Sequence, residues 1–180
     1  MNSFFWQGCL HPLIVPAHLM AIVALGLLIG QQGKTALKTA LPVFLLSVFI
    51  ALALTRILGR FNYPSELILL SLSVTLGLLV IVKLKLNSVL VISLSLLTAL
   101  MIGFDSAVTG IPGLTAGKVY LQLLGTGVSA SFLLMTIALL SLVLNKLWEG
   151  IAVRVLGAWV TAGSLMVLAL LLHALVKSPH

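Results

Sequence analysis

The stretch that decides the fold is residues 10–30, LHPLIVPAHLMAIVALGLLIG, which runs for 21 residues without an Asp, Glu, Lys or Arg. An α-helix needs about 20 mainly apolar residues to cross about 30 Å of hydrocarbon. The run is therefore long enough to span a membrane. No Lys or Arg precedes it and no small-residue cleavage pattern follows it, so we expect it to be a span and not a removed secretory signal.

Five further apolar stretches follow, separated by charged residues. The sequence predicts one transmembrane domain over residues 1–180 with spans at 10–30, 39–56, 65–83, 86–104, 118–145 and 154–176. The composition agrees, because 61% of residues are hydrophobic and only 7% are charged, whereas about a quarter are charged in soluble domains. The predicted fold class is an all-α, polytopic integral membrane bundle of six transmembrane helices, with the lipid bilayer as its surroundings.

The positive charge of the chain has a topological explanation. The net charge is +7, but the Lys and Arg residues stand singly or in pairs between apolar runs, as is typical of helix ends in membrane proteins. We therefore expect no nucleic-acid partner. Loops 1, 3 and 5 carry six Lys and Arg, against four on the other side, at Arg56, Arg60, Lys118 and Lys177. This difference favours both termini outside the cytoplasm.

Small residues at four-residue spacing indicate where helices can pack closely. Gly26 and Gly30 form a GxxxG pair within the first span, a spacing that lets two helix backbones approach each other. We interpret the pair as a contact inside the chain, with dimerisation as the alternative.

Most of the Cys, His, Asp and Glu side chains lie on one side of the predicted membrane. In a six-span chain, the start of span 1, loops 2 and 4 and the end of span 6 share one face. That face carries the single cysteine, all four histidines and two of the three acidic residues: Cys9, His11, His18, Glu66, Asp105, His173 and His180. The third acidic residue, Glu149, lies on the other face.

This clustering has two readings. Imidazole is the commonest transition-metal ligand, and a carboxylate or thiol can complete a site for Ni, Co, Cu or Zn. We therefore take His11 and His18 as the main candidate metal ligands, and Glu66, Asp105 and Cys9 as weaker ones. The alternative is that polar residues collect at helix ends because they are costly at the centre of a membrane.

The spacing of His11 and His18 determines whether both can bind the same ion. His11 and His18 are seven residues apart, which in a regular helix places them on one face but about 10 Å apart along the axis. A single ion could not be bound by both. Pro12 and Pro16 each lack a backbone donor and disfavour helix in the preceding residue. We expect Cys9–Val15 to fold back over the helix start near Pro16 and to bring His11 towards His18.

A family resemblance rests on this same segment. Its residues are Gly8, His11, Pro12, Leu13, His18, Leu19, Ala24, Gly26 and Leu27. The segment resembles the first transmembrane segment of the HupE/UreJ family, small membrane proteins regarded as nickel or cobalt permeases, whose motif reads His-Pro-Leu followed by Asp-His-Leu. Here Ala17 replaces that acid, and residues 103–107 read GFDSA where the family usually has a His-Gly pair. Only His11 and His18 carry over residue by residue.

The resemblance implies a function, and the differences between this sequence and the family motif leave alternatives open. It implies transport or facilitated uptake of a divalent ion such as Ni²⁺ or Co²⁺, the ion being cargo, in a prokaryotic-type inner membrane or an internal photosynthetic membrane. The missing ligands favour a non-transporting accessory or structural subunit of a larger respiratory or photosynthetic membrane complex. A third alternative is axial ligation of haem or chlorophyll by His18 or His173. No nucleophile and base pair or phosphate-binding loop is present, so we do not expect an enzyme.

Overall fold

The computed structural model describes residues 2–58, 64–106 and 116–177, and every secondary-structure element within these ranges is a helix. The helices are α1 (Asn2–Ile14), α2 (Pro16–Gln32), α3 (Lys34–Leu58), α4 (Ser65–Val82), α5 (Ser88–Asp105), α6 (Ala116–Leu147) and α7 (Ile151–Lys177). The predicted all-α class is confirmed. Arg60 and His180, which entered the sequence interpretation, lie outside the described residues.

The apolar lengths of these helices agree with a membrane bundle. In the described part of the chain, five helices are long and apolar enough to cross a membrane, and α1 with α2 makes a sixth candidate that is bent by 71°. The first predicted span, residues 10–30, is therefore divided between two helices. The break falls at Val15, whose backbone is extended (φ −83°, ψ 109°), because Pro16 disfavours helical geometry in the residue before it.

Helix α1 continues through Pro12, where the sequence had led us to expect the chain to leave the helix. Pro12 has no N–H, so the carbonyl of Gly8, four residues earlier, loses its helical donor. The hydroxyl of Thr126 on α6 donates to this carbonyl at 3.2 Å, a proton that it shares with the Gln122 carbonyl of its own helix at 3.1 Å. In an apolar environment a freed backbone group needs such a partner, and α6 therefore allows α1 to remain helical.

Helix α2 is the centre of the bundle. It contacts every other helix, and its side chains from Ala21 to Gly30 are buried almost without exception. Gly26 and Gly30 lie directly against α6, since a Cβ atom on Gly30 would come within 2.4 Å of the Ala138 carbonyl oxygen. The GxxxG pair thus makes a contact inside the chain, which confirms that interpretation. The hydroxyl of Ser141 adds a hydrogen bond of 2.8 Å to the carbonyl of Leu27.

Two further helix pairs pack closely within the bundle. Helices α4 and α7 are joined by a buried hydrogen bond of 2.8 Å between the hydroxyls of Ser73 and Ser164. Helices α3 and α5 touch where Gly103 meets Ala51, leaving no room for a side chain at position 103. The outward faces remain apolar, as lipid contact requires.

Glutamine side chains at the C-terminal end of α2 hold α4 and α5 in place. Gln31 donates to the carbonyl of Val80 at 2.9 Å. Gln32 donates to the carbonyl of Leu84 at 2.6 Å and accepts from the backbone N–H of Leu86 at 3.0 Å. These bonds fix the connection between α4 and α5 against α2, and so help to set where the opposite ends of those helices lie.

The contact of α2 with α6 gives a first prediction. Gly30→Ala places a methyl group 2.4 Å from the Ala138 carbonyl oxygen and 2.5 Å from Ser141 Cβ, so the helices must separate. Overpacking of this kind costs about 1–3 kcal/mol, and we expect a lower melting temperature in detergent. The matched control is Gly117→Ala, because a Cβ atom there meets nothing within 4 Å. Equal melting temperatures for the two variants would contradict the described contact.

Candidate metal-binding site

The bend between α1 and α2 brings two histidines together. The ring centroids of His11 and His18 are 5.3 Å apart, and the rings meet edge to face at 77°. A regular helix would separate them by about 10 Å. The approach expected from the prolines is therefore present, although it arises from a sharp break at Val15 between two helices.

His18 is the most enclosed ionisable side chain of this region. Its side chain has 0% exposure, and its Nε2 atom lies 2.7 Å from Oδ2 of Asp105. Asp105 is the last residue of α5, 87 positions further along the chain, and its side chain is 12% exposed. The structure thus joins a leading candidate ligand to one of the weaker ones.

Ser65, which the sequence reasoning missed, completes this arrangement. It is the first residue of α4, and its hydroxyl donates to Oδ1 of Asp105. The sequence had drawn attention to the charged neighbour Glu66, which is exposed in the first turn of α4. Successive residues of a helix point in directions about 100° apart, so the two side chains do not share surroundings. No local pattern distinguishes Ser65 from the other serines of the chain.

Two ring nitrogens at the site are buried and have no hydrogen-bond partner within the described residues. They are Nε2 of His11 and Nδ1 of His18. A buried polar atom left without a partner costs about 1–3 kcal/mol, and such atoms call for a specific explanation. Both are imidazole nitrogens, the atoms that bind transition metals in proteins.

The other candidates stand apart from the histidine pair. Cys9 is a half-buried free thiol on α1, and His173 is exposed near the end of α7. Among residues 2–58, 64–106 and 116–177, no group of three or more His, Cys, Asp or Glu side chains is arranged to hold a metal ion. The structure therefore offers two imidazoles with a hydrogen-bonded carboxylate behind one of them, and no dense ligand cage.

The chemistry of this pair limits what it can bind. Imidazole nitrogen suits ions such as Ni²⁺, Cu²⁺ and Zn²⁺, whereas Mg²⁺ and Ca²⁺ prefer oxygen ligands. With two nitrogens from the protein, an ion would keep other ligands such as water.

Comparison with known proteins assigns the chain to a family. The family described as HupE / UreJ protein matches residues 1–168, which is all but the last part of the sequence. No curated protein and no solved structure matches the chain. The family and the apolar helices together identify an integral membrane protein. With a match over this length, the chain belongs to the HupE / UreJ protein family.

Proposed function

We propose that this protein takes up a divalent transition-metal ion, Ni²⁺ or Co²⁺, and that His11 and His18 bind it. The family is transporter-like, is associated with nickel and cobalt uptake, and is not a known family of enzymes. The observation that carries the proposal is the pair of buried nitrogens, His11 Nε2 and His18 Nδ1, which have no hydrogen-bond partner among the described residues and lie on rings 5.3 Å apart.

The departure from the family motif is compatible with this function. Where the motif has an acid directly before the second histidine, Ala17 is 3% exposed and packs in the core. A carboxylate nevertheless lies beside the second histidine, because Asp105 reaches His18 from the end of α5. The second histidine therefore keeps an acidic neighbour, supplied from a different helix.

The proposal includes an orientation. His18 and Ser65 begin α2 and α4, and Asp105 ends α5, so these residues gather at one end of the bundle. The opposite end carries positive residues, among them Lys34 and Lys83. By the positive-inside rule this opposite end faces the cytoplasm, which puts the histidine pair and both termini outside it. The proposed location is a prokaryotic-type inner membrane or an internal photosynthetic membrane.

Metal binding by purified protein tests the proposal. We expect Ni²⁺ and Co²⁺ to bind in calorimetry, with affinity lowered at least about tenfold in His11→Ala and in His18→Ala, because each removes one nitrogen ligand. An excess of Mg²⁺ should not compete. His173→Ala is the matched control, since His173 is an exposed histidine on α7. Unchanged binding in both single variants, or no binding by the unaltered protein, would overturn the proposal.

A second candidate function is that of an accessory subunit in a larger membrane complex. The observation in its favour is that His18 is the single ionisable residue among the buried polar residues of the described chain, the others being Ser and Thr. Transport paths commonly place polar or charged groups near the middle of the membrane. Hydroxyls such as Ser73 and Ser164 bond to each other across α4 and α7 and supply no charge there.

Native gels of mildly solubilised membranes separate the two candidates. An accessory subunit should migrate with a larger respiratory or photosynthetic complex and should bind no Ni²⁺ once purified. A carrier should migrate alone or as a homo-oligomer and bind the ion. Migration as a free species only would exclude the accessory function.

A further inference from the structure

We propose that Asp105 is a positioning residue for His18, which it holds with the proton on Nε2 so that Nδ1 is presented to the metal ion. This inference rests on the proposed function for its metal-binding part, while its structural part concerns the metal-free protein. Nothing in the family motif points to Asp105, because the motif's own acid would stand at position 17.

The hydrogen bond between the two residues determines the tautomer. A neutral imidazole carries one proton, so one ring nitrogen donates and the other accepts. Nε2 of His18 lies 2.7 Å from Oδ2 of Asp105, and a carboxylate can only accept. The proton must therefore be on Nε2, and the lone pair must be on Nδ1. That nitrogen is one of the two at the site that are buried and have no partner in the part of the chain that the structure describes.

Ser65 fixes the orientation of the Asp105 carboxylate. Its hydroxyl donates to Oδ1, while Oδ2 accepts from His18. The two bonds hold both oxygens of Asp105, and with them the rotation of the carboxylate. Because His18, Ser65 and Asp105 belong to α2, α4 and α5, the orientation of one imidazole ring depends on the packing of three helices.

The same bonds argue against Asp105 as a direct ligand. Each of its oxygens already accepts a hydrogen bond from a protein donor, so direct ligation would have to use the second lone pair of an oxygen or displace that donor. Metal-binding histidines usually donate their second ring N–H to a carboxylate, which sets the tautomer and strengthens the ligand. The arrangement of His18 and Asp105 is of this kind. The ion would then bind His11 through Nε2 and His18 through Nδ1, and would complete its coordination with groups such as water.

Four variants distinguish positioning from ligation. Asp105→Asn removes the negative charge and can turn its amide N–H towards Nε2, Asp105→Ala removes the acceptor altogether, and Ser65→Ala frees the carboxylate. Glu66→Gln is the matched control, because Glu66 is an exposed acid in the first turn of α4. Each protein is titrated with Zn²⁺, which is diamagnetic, and with Co²⁺. In addition, ¹⁵N-histidine NMR of the metal-free and Zn²⁺-bound forms identifies the protonated and the metal-bound nitrogen of His18.

If Asp105 positions His18, the metal-free protein should show the proton on Nε2, and Zn²⁺ should bind at Nδ1. Asp105→Asn and Asp105→Ala should each bind about 10–100-fold more weakly, because both remove the carboxylate that keeps the proton on Nε2, and Ser65→Ala should lose less. Glu66→Gln should bind normally. The defined tautomer of His18 should be lost in Asp105→Ala, which a purely structural role would not produce.

Other outcomes overturn the inference. Weaker binding in Asp105→Asn with the tautomer of metal-free His18 unchanged would make Asp105 a ligand, and a proton on Nδ1 of metal-free His18 in the unaltered protein would contradict the arrangement itself. If Asp105→Ala does not fold, Asp105→Asn still decides, since positioning predicts that the tautomer of metal-free His18 changes in this variant and ligation predicts that it does not. Failure of the unaltered protein to bind Zn²⁺ or Co²⁺ would refute the proposed function, whereas the tautomer of the metal-free protein tests the positioning independently.

Discussion

In hydrocarbon, a backbone carbonyl without a donor costs several kcal/mol, and this constraint governs the start of the chain. Pro12 deprives the Gly8 carbonyl of its helical hydrogen bond, and Thr126 of α6 replaces it at 3.2 Å. The hydroxyl reaches that far because α1 and α6 meet without intervening side chains at Gly8 and Gly125. The position of α1 follows from this requirement, and α1 carries His11.

The parts of the structure that depend on local chemistry could be predicted from the sequence. Apolar runs separated by charges predicted the helical membrane class. The prolines predicted that His11 would approach His18, because a residue before proline avoids helical geometry and Val15 is such a residue. The continuation of α1 through Pro12 could not be predicted, since the compensating donor is 118 positions away on another helix.

The contacts of Asp105 with His18 and Ser65 could not be predicted from the sequence for a different reason. Counting spans placed Asp105 on the same face as His18, but whether the two touch depends on the packing of α2 against α5. Charge drew attention to Glu66, although the residue that bonds to Asp105 is Ser65. The family motif drew attention to position 17, where the acid is missing. The carboxylate next to His18 is that of Asp105, at the end of α5, and for this reason the motif around His18 does not contain it.

The glycine contact between α1 and α6 bears on how freely the sequence can diverge. A Cβ atom on Gly8 would fall 2.0 Å from the Gln122 carbonyl oxygen, and one on Gly125 would fall 2.3 Å from that of Phe5. The opposite side of α1 is exposed, with Trp6 at 62% and Ile14 at 71%. Evolution can exchange those outer residues for other apolar ones without moving His11. The two glycines cannot be exchanged in this way, because any side chain there would push α1 away from α6. Residues that bind no ion thus preserve the geometry of the histidine pair.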